Sequence, residues 1–227
     1  MAKESGLGDG LLISGYDLSG DVQQVGTIGG GPATLDVTGI NKSAYERIAG
    51  LRDGRLEMTT FFNTAANQEH VVLKTLPTTD VHLMYMHGST LGNPAAAMVG
   101  KQVNYDGTRA ADGAFTFGVN AQSNAFGLEW GQLLTAGLRT DTTATNGTAI
   151  DTTASASFGG QAYLQFLTLT GTTCTVSIED SADNVTFAAV TGLTFTAVTT
   201  SRVTERLATS NTATIRRYIR VATTGTF

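Results

Sequence analysis

Apolar and polar residues alternate with a period of two along much of the chain. The residues that would share the mostly apolar face of the clearest runs are Leu56, Met58, Thr60 and Phe62; Val81, Leu83 and Tyr85; Phe115, Phe117, Val119 and Ala121; and Cys174, Val176 and Ile178. Successive side chains of a strand point to opposite faces, so this alternation predicts half-buried β-strands. Short strands and turns at regular spacing after residue 157 predict a small β-sandwich.

The best helix signal lies at the start of the stretch "AYERIAGLRDGRLEMTTFFN", residues 44–63, and at the serine just before it. Ser43 and Glu46 have the spacing of a capping box, in which the hydroxyl and the carboxylate each satisfy a free N–H of the first turn. Gly50 would end that helix. The later stretch "EHVVLKTLP" is compatible with a second short helix or a strand, and its periodicity does not decide between them.

The predicted fold class is all-β. We expect a β-sandwich or barrel with a short helix over residues 1–138, including a flexible glycine-rich N-terminal arm at residues 1–10. Residues 139–157 are rich in Thr and Ala and poor in large apolar side chains, which is typical of a linker. Residues 158–227 would form the C-terminal β-sandwich domain.

Charged residues make up only 15% of the chain, against about 25% in an average protein. Such a surface suits close contacts between copies, because few charges need desolvating; a β protein with a polar coat is the simpler alternative. The charge is also uneven. Residues 1–149 carry fourteen acidic and nine basic side chains, whereas residues 150–227 carry five of each, so the whole net charge of −5 lies in the first part.

No motif for catalysis, metal binding or cofactor binding is recognisable. His82 and His87 are five residues apart and would point to opposite faces of a strand, and His70 lies outside that run, so we expect no metal site. The glycine-rich "GLGDG" and "GTIGGGP" lack the Gly-Lys-Ser/Thr of a phosphate loop, and no Gly-x-Ser-x-Gly occurs. We therefore expect no cofactor and a chain that is not an enzyme.

Acidic and basic clusters near the C-terminus have structural explanations. "EDSADN" at residues 179–184 lacks the spacing of a calcium loop and is typical of a hairpin turn. Arg216, Arg217 and Arg220 could form a basic patch, but a pI near 5.1 disfavours nucleic-acid binding. Pairing with Glu205 or with a neighbouring copy is expected instead, and Arg217 falls among the apolar positions without an explanation.

Export and membrane insertion are not expected either. The N-terminal "MAKESGLGDG" has no apolar signal-peptide core, and no run reaches about 18 apolar residues. Cys174 is the single cysteine, which excludes an intrachain disulfide, and its place in an alternating strand predicts a buried thiol.

"ERIAGLRDGRLEMTTFFN" resembles the signature of siphophage-type major tail tube proteins, in which a short helix and a Gly-Leu-x-Asp-Gly turn lead into a long strand. The matching residues are Gly50, Leu51, Asp53 and Gly54. "GYDLSGDVQQV" and "LDVTG" are similar to the first strands of that family. "FGLEWGQLLTAGLRTDT", "CTVSIEDSADNVTFAAV" and "RRYIRVATTGTF" resemble the C-terminal part of tail proteins from actinobacterial phages.

The resemblance implies a virion protein of the phage tail, assembled in the bacterial cytoplasm. Copies would join as hexameric rings, and the rings would stack into a tube, with other tail proteins as partners and viral DNA passing through without specific binding. Gly50, Leu51, Asp53 and Gly54 would take part in self-assembly, with Asp53 accepting backbone hydrogen bonds and Gly54 at a positive φ. The arm would order when the next ring arrives.

Three other functions remain open from the sequence. A capsid decoration or baseplate protein would share every compositional feature. A carbohydrate-binding β-sandwich would need clustered exposed aromatic side chains, and the single tryptophan, Trp130, lies outside the C-terminal domain. An enzyme is the least favoured of the three.

Overall fold

A computed structural model describes residues 4–227, which contain eighteen strands and one short helix. The predicted all-β fold class is therefore confirmed. The elements in chain order are β1 (Gly10–Ile13), β2 (Tyr16–Asp17), β3 (Val22–Gly29), β4 (Pro32–Asp36), β5 (Arg47–Arg52), β6 (Arg55–Phe61), α1 (Glu69–Leu73), β7 (Val81–Met86), β8 (Pro94–Gln102), β9 (Asp106–Arg109), β10 (Phe115–Ser123), β11 (Glu129–Gln132), β12 (Thr145–Asn146), β13 (Ile150–Asp151), β14 (Gln161–Phe166), β15 (Thr173–Ser181), β16 (Ala188–Thr194), β17 (Val203–Ala208) and β18 (Tyr218–Thr226).

The described chain forms two compact units. The central unit comprises residues 20–83 and 98–129, and the terminal unit comprises residues 4–19, 84–97 and 130–227. In the central unit β10 pairs with β6 and β9, and β6 also pairs with β3, all antiparallel. In the terminal unit β18 lies between β15 and the short strands β12 and β13, β16 extends this sheet beyond β15, and β14 pairs with β17.

The alternation predicted for β6 and β10 builds the core of the central unit. Leu56, Met58 and Thr60 are buried, as are Val119 and Ala121 of the neighbouring strand. The antiparallel register sets Leu56 opposite Ala121 and Met58 opposite Val119. Buried residues of both strands therefore share one face, as the period of two requires.

The helix α1 introduces a buried carboxylate into this core. This helix occupies the start of "EHVVLKTLP", residues 69–77, the stretch whose periodicity does not decide between a helix and a strand. Glu69 is fully buried, and its Oε1 accepts a hydrogen bond of 2.8 Å from the Thr60 hydroxyl. Its backbone N–H donates to Asp21 over 3.0 Å, and Asp21 also accepts from the Asn63 amide. Burial, together with Glu69, raises the pKa of the neighbouring Tyr105 hydroxyl.

The helix predicted from Ser43 to Gly50 is wrong. Residues 47–52 form strand β5, which pairs with β4, and no helix occurs between residues 43 and 50. The Glu46 N–H donates to the Thr38 hydroxyl over 2.9 Å, and the Glu46 carboxylate pairs with Lys42 at 2.9 Å. A capping box stabilises a helix by about 1 kcal/mol. The backbone hydrogen bonds and side-chain pairs between β4 and β5 together contribute more than that.

The C-terminal sheet of the terminal unit follows its predicted pattern. Cys174, Val176 and Ile178 are buried in β15, and Leu193 and Phe195 pack against them. Burial raises the pKa of the Cys174 thiol. Residues 139–157 contribute β12 and β13, which pair with β18.

The C-terminal arginines pair within the terminal unit. Three ion pairs occur, at 2.6–2.7 Å: Arg216 with Asp180, Arg217 with Asp151, and Arg220 with Glu179. The expected pairing of these arginines with Glu205 is therefore wrong, since each of them pairs with another carboxylate. Arg217 is explained by Asp151 on β13, a strand that the sequence pattern did not reveal. The acidic turn is closed by Asp183, which accepts from the N–H groups of Val185 and Thr186.

Candidate self-assembly surface

The main candidate surface is the hairpin of β4 and β5, residues 32–52, which we call the apolar hairpin. All residues of β4 are exposed, and so are all residues of β5 except the half-buried Gly50. Among residues 4–227, β4 and β5 pair with each other and with no further strand. A two-stranded hairpin is at best marginally stable alone in water. Its edges and faces are therefore open to a partner.

Large aliphatic side chains are exposed along the apolar hairpin. Leu35 and Ile48 stand directly opposite each other in the register, and each is about half exposed. Leu51 lies in the part of β5 where the register with β4 is irregular, and its side chain is 88% exposed. Neighbouring exposed aliphatic side chains of this kind make the hairpin a candidate interaction surface.

The tip of the apolar hairpin, residues 37–46, is ordered by its own polar contacts. Asp36 accepts hydrogen bonds from the hydroxyl and the N–H of Thr38, which lower the pKa of its carboxyl. The Arg47 guanidinium lies 4.5 Å from the centre of the Tyr45 ring. These contacts leave Ile40 fully exposed. The tip is therefore preorganised but keeps its apolar side chain unburied.

Two of the four residues predicted for self-assembly lie in β5. Gly50 does not end a helix; a Cβ there would lie 3.1 Å from the Ala33 carbonyl oxygen and 3.5 Å from Leu35 Cγ. Its missing side chain therefore leaves room for Leu35 on the same face. Leu51 is accessible, as an assembly contact would require.

The other two, Asp53 and Gly54, form the connection from β5 to β6. Within residues 4–227 the Asp53 carboxylate accepts no backbone hydrogen bond and faces Arg55 Nε at 4.0 Å. Gly54 is buried, and its φ is outside the positive range. The predicted turn, with Asp53 as an acceptor of backbone hydrogen bonds and Gly54 at a positive φ, is therefore wrong in both details. A Cβ at Gly54 would lie 2.5 Å from the Leu128 backbone nitrogen, so glycine is needed here for a close approach of two backbones.

An open groove lies beside the base of the apolar hairpin, next to this close approach. Gly54 donates its N–H to the Ser123 hydroxyl over 2.8 Å, and Ser123 returns its own N–H to the Gly54 carbonyl. The groove, which we call the base groove, has a volume of about 340 Å³. Its walls are formed by Leu51, Arg52, Ser123, Ala125, Phe126, Gly127 and Glu129. Sequence reasoning missed residues 123–129, because no local pattern links them to residues 51–54.

The histidines do not form a metal site in the described part of the chain. His87 instead connects the N-terminal segment to β7. Its Nδ1 lies 3.0 Å from Asp9 and its Nε2 lies 2.9 Å from Glu4. Asp9 also accepts from Tyr85 and from the Gly88 N–H. Residues 1–3 of the predicted arm lie outside the described residues.

We expect the attachment of residues 4–9 to weaken as the pH rises. Glu4 first, and Asp9 as well, raise the pKa of His87 above its usual value near 6.5. A group whose pKa is raised on folding stabilises the fold fully below that usual value and loses this effect as the pH passes the raised pKa. The protection factor of the Gly88 N–H, corrected for intrinsic exchange, should therefore fall between pH 6 and pH 8.5.

Two variants control this measurement. His87→Gln should show low protection at both pH values, whereas His82→Gln, which keeps the network intact, should behave like the native protein. A native protection factor that is independent of pH would contradict the assignment.

No helix in residues 4–227 is both long and apolar enough to cross a membrane.

No protein-family model and no curated protein matches the chain. Among solved structures, the chain is similar to a component of the virion of a native gene transfer agent particle, with 13% identity and a TM-score of 0.45 over 57% of this chain and 99% of that one. It is also similar to the SPP1 Dit (gp 19.1) protein, described as a paradigm of the hub adsorption apparatus in phages that infect Gram-positive bacteria. That match has 12% identity and a TM-score of 0.36 over 95% of this chain and 96% of the other.

Proposed function

We propose that this protein is a virion structural protein that self-assembles into the tail tube of a phage. Copies join into rings, expected to be hexameric, and the rings stack into a conduit for DNA delivery. The apolar hairpin is the observation that carries the proposal, since it presents Leu35, Ile48 and Leu51 to solvent without a partner in the described chain. The residues that resemble the tail tube signature lie in this same hairpin and in the turn that follows it.

The open strands of the apolar hairpin supply a physical route to assembly. An exposed strand edge can pair with a strand from another copy, and such pairing supplies affinity through backbone hydrogen bonds. A contact between two different patches of the same protein forms a ring if its rotation closes and a filament if it does not. Both kinds of contact are needed for stacked rings.

The charge distribution suits passage of DNA. The net charge of −5 belongs to residues 1–149, so six copies would bring about −30 to each ring if the tube wall is formed by this part. A negative wall repels phosphate, whereas a basic wall would hold it. We propose that residues 1–138 supply the tube-forming part and residues 158–227 an outer decoration, with residues 139–157 connecting them and adding β12 and β13 to the sheet of the C-terminal part. Other tail proteins would be its partners in the virion, after assembly in the host cytoplasm.

Electron microscopy of the purified protein tests the proposal. At increasing concentration we expect hollow rods of uniform width, with six-fold symmetry in end-on views and more acidic than basic side chains along the bore. Closed trimers or pentamers would favour a capsid decoration protein. A protein that stays monomeric at every concentration, also in the presence of rod fragments as seeds, would contradict the proposal.

A further inference from the structure

We propose that Glu69, Tyr105 and His70 form a pH-sensitive hydrogen-bond switch, in which the hydroxyl hydrogen of Tyr105 passes from His70 to Glu69 when the imidazole is protonated. All three side chains belong to the central unit. The switch concerns a single copy of the chain, so it does not depend on the proposed function.

The buried end of the switch is the Glu69 carboxylate. Glu69 is fully buried, and its Oε1 accepts a hydrogen bond of 2.8 Å from the Thr60 hydroxyl. Its second oxygen, Oε2, is also buried and has no hydrogen-bond partner within residues 4–227. A buried acceptor without a partner lowers the folding equilibrium constant by about 10-fold. The carboxylate would therefore gain stability from a donor that reaches Oε2.

Tyr105 is the donor beside this carboxylate. Burial, and after it the interaction with Glu69, raise the pKa of the Tyr105 hydroxyl, so this hydroxyl keeps its hydrogen at neutral pH. The same hydroxyl oxygen lies 2.9 Å from His70 Nδ1. A tyrosine hydroxyl has a single hydrogen to donate. Glu69 Oε2 and His70 Nδ1 therefore compete for it.

Ring packing holds Tyr105 and His70 in place during this competition. The Tyr105 ring stacks on Phe117 with 4.2 Å between the ring centres, and the His70 ring packs against Phe62 at 4.6 Å. His70 is half-buried, so its imidazole still exchanges protons with solvent. The hydroxyl hydrogen can thus change its acceptor without a rearrangement of the rings.

The protonation state of His70 decides which acceptor receives the hydrogen. A neutral imidazole with its hydrogen on Nε2 accepts through Nδ1, and the Tyr105 hydroxyl then donates to His70. An imidazolium has a hydrogen on each nitrogen, so Nδ1 becomes a donor to the Tyr105 oxygen. The hydroxyl hydrogen then turns to Glu69 Oε2, where it forms a charge-assisted hydrogen bond. One proton taken up at His70 therefore satisfies the buried oxygen.

The elements packed around the switch carry six further charged side chains: Asp21, Arg55, Glu57, Lys74, Asp106 and Arg109. Asp21 is buried and accepts from the Glu69 N–H over 3.0 Å, so it adds negative charge beside the carboxylate and favours the imidazolium. Lys74 follows His70 by one helical turn and disfavours it. Histidine is the residue type of this cluster that ordinarily changes its charge between pH 5 and pH 8.

NMR spectroscopy of the unassembled protein tests the switch. At pH 8 the ring ¹⁵N signals of His70 should be those of a neutral imidazole with its hydrogen on Nε2, and at pH 5 those of an imidazolium. The ¹³C signal of the Glu69 carboxyl should shift with the same midpoint, because the Tyr105 hydrogen arrives there. Glu69→Gln identifies this signal by removing it.

Two variants separate the hydroxyl hydrogen from the charge of His70. Tyr105→Phe keeps the ring that stacks on Phe117 but has no hydrogen to donate, so the shift of the Glu69 signal should be lost while His70 still titrates. His70→Phe keeps a ring against Phe62 and leaves the hydroxyl on Glu69, so the Glu69 signal should stay constant between pH 8 and pH 5. His82→Gln is the control and should keep the native shift.

Urea unfolding of the same samples gives a second readout. Tyr105→Phe should raise the unfolding constant by about 5- to 10-fold more at pH 5 than at pH 8, because a hydrogen bond to a charged group contributes more than a neutral one. In the His70→Phe background the effect of Tyr105→Phe should be equal at both pH values.

Three results would overturn the inference. The first is a neutral His70 with its hydrogen on Nδ1 at pH 8, since Tyr105 would then donate to Glu69 at every pH. The second is a Glu69 signal that does not move with His70 in the native protein. The third is a shift of equal size in Tyr105→Phe. The first two are read from the native protein and decide the question even if a variant fails to fold.

Discussion

Gly54→Ala is expected to lower the free energy of unfolding by about 1–3 kcal/mol or more, as overpacking of a well-packed site does. The new Cβ would lie 2.5 Å from the Leu128 nitrogen and 2.9 Å from Leu128 Cβ. A backbone atom cannot rotate away, so the segment after β10 has to shift. The shift would also strain the hydrogen bonds between Gly54 and Ser123. Urea unfolding followed by circular dichroism, at a concentration low enough to exclude assembly, measures the change.

Gly29→Ala is the matched control for this prediction. Gly29 lies at the end of β3, pairs with Arg55, has no atom within 4 Å of a built Cβ, and does not have a positive φ. Replacing such a glycine by alanine alters stability by less than about 1 kcal/mol and tends to stabilise through the unfolded state. Equal stability of Gly54→Ala and Gly29→Ala would show that the approach of Leu128 is not rigid.

Leu51→Asp is expected to raise the protein concentration needed for rod formation by about 10- to 100-fold, the effect of losing one buried leucine from each contact. Leu51 is 88% exposed in the single chain. Its replacement should therefore change folding stability by no more than about 0.5 kcal/mol. Turbidity and electron microscopy over a concentration series, beside urea unfolding of the same samples, separate the two effects.

Val185→Asp provides the comparison, because Val185 is 81% exposed but belongs to the terminal unit, whereas the apolar hairpin belongs to the central unit. It should assemble at the native concentration. If Leu51→Asp also assembles at that concentration, Leu51 is not part of the contact, and the assembly role predicted for it is lost.

The strands were predictable because their signal lies between near neighbours. Alternation of Leu56, Met58 and Thr60, or of Cys174, Val176 and Ile178, requires only that one face of each strand be buried. The same local reading failed at residues 43–50. There the capping signal of Ser43 and Glu46 was outweighed by β4, a strand whose fully exposed residues carry no core pattern.

The candidate site was predictable in part. Resemblance singled out Gly50, Leu51, Asp53 and Gly54, and the structure places the first two in an exposed strand. The resemblance did not reveal why residue 54 is a glycine, because the reason is a contact of Gly54 with Leu128, which is far along the chain. The base groove was missed for the same cause. A groove arises when two distant segments meet, and neither segment alone has a distinctive composition.

By itself, the sequence determined the all-β character of the protein, its low charge and the confinement of its net charge to residues 1–149. These properties depend on residue types and on spacing of two along the chain. Only the tertiary structure decided that residues 32–52 form a hairpin that pairs with no other strand of residues 4–227, that Arg217 pairs with Asp151, and that Gly54 meets Leu128. Each of these depends on which distant segments pack together, a choice made by the summed energy of the whole fold.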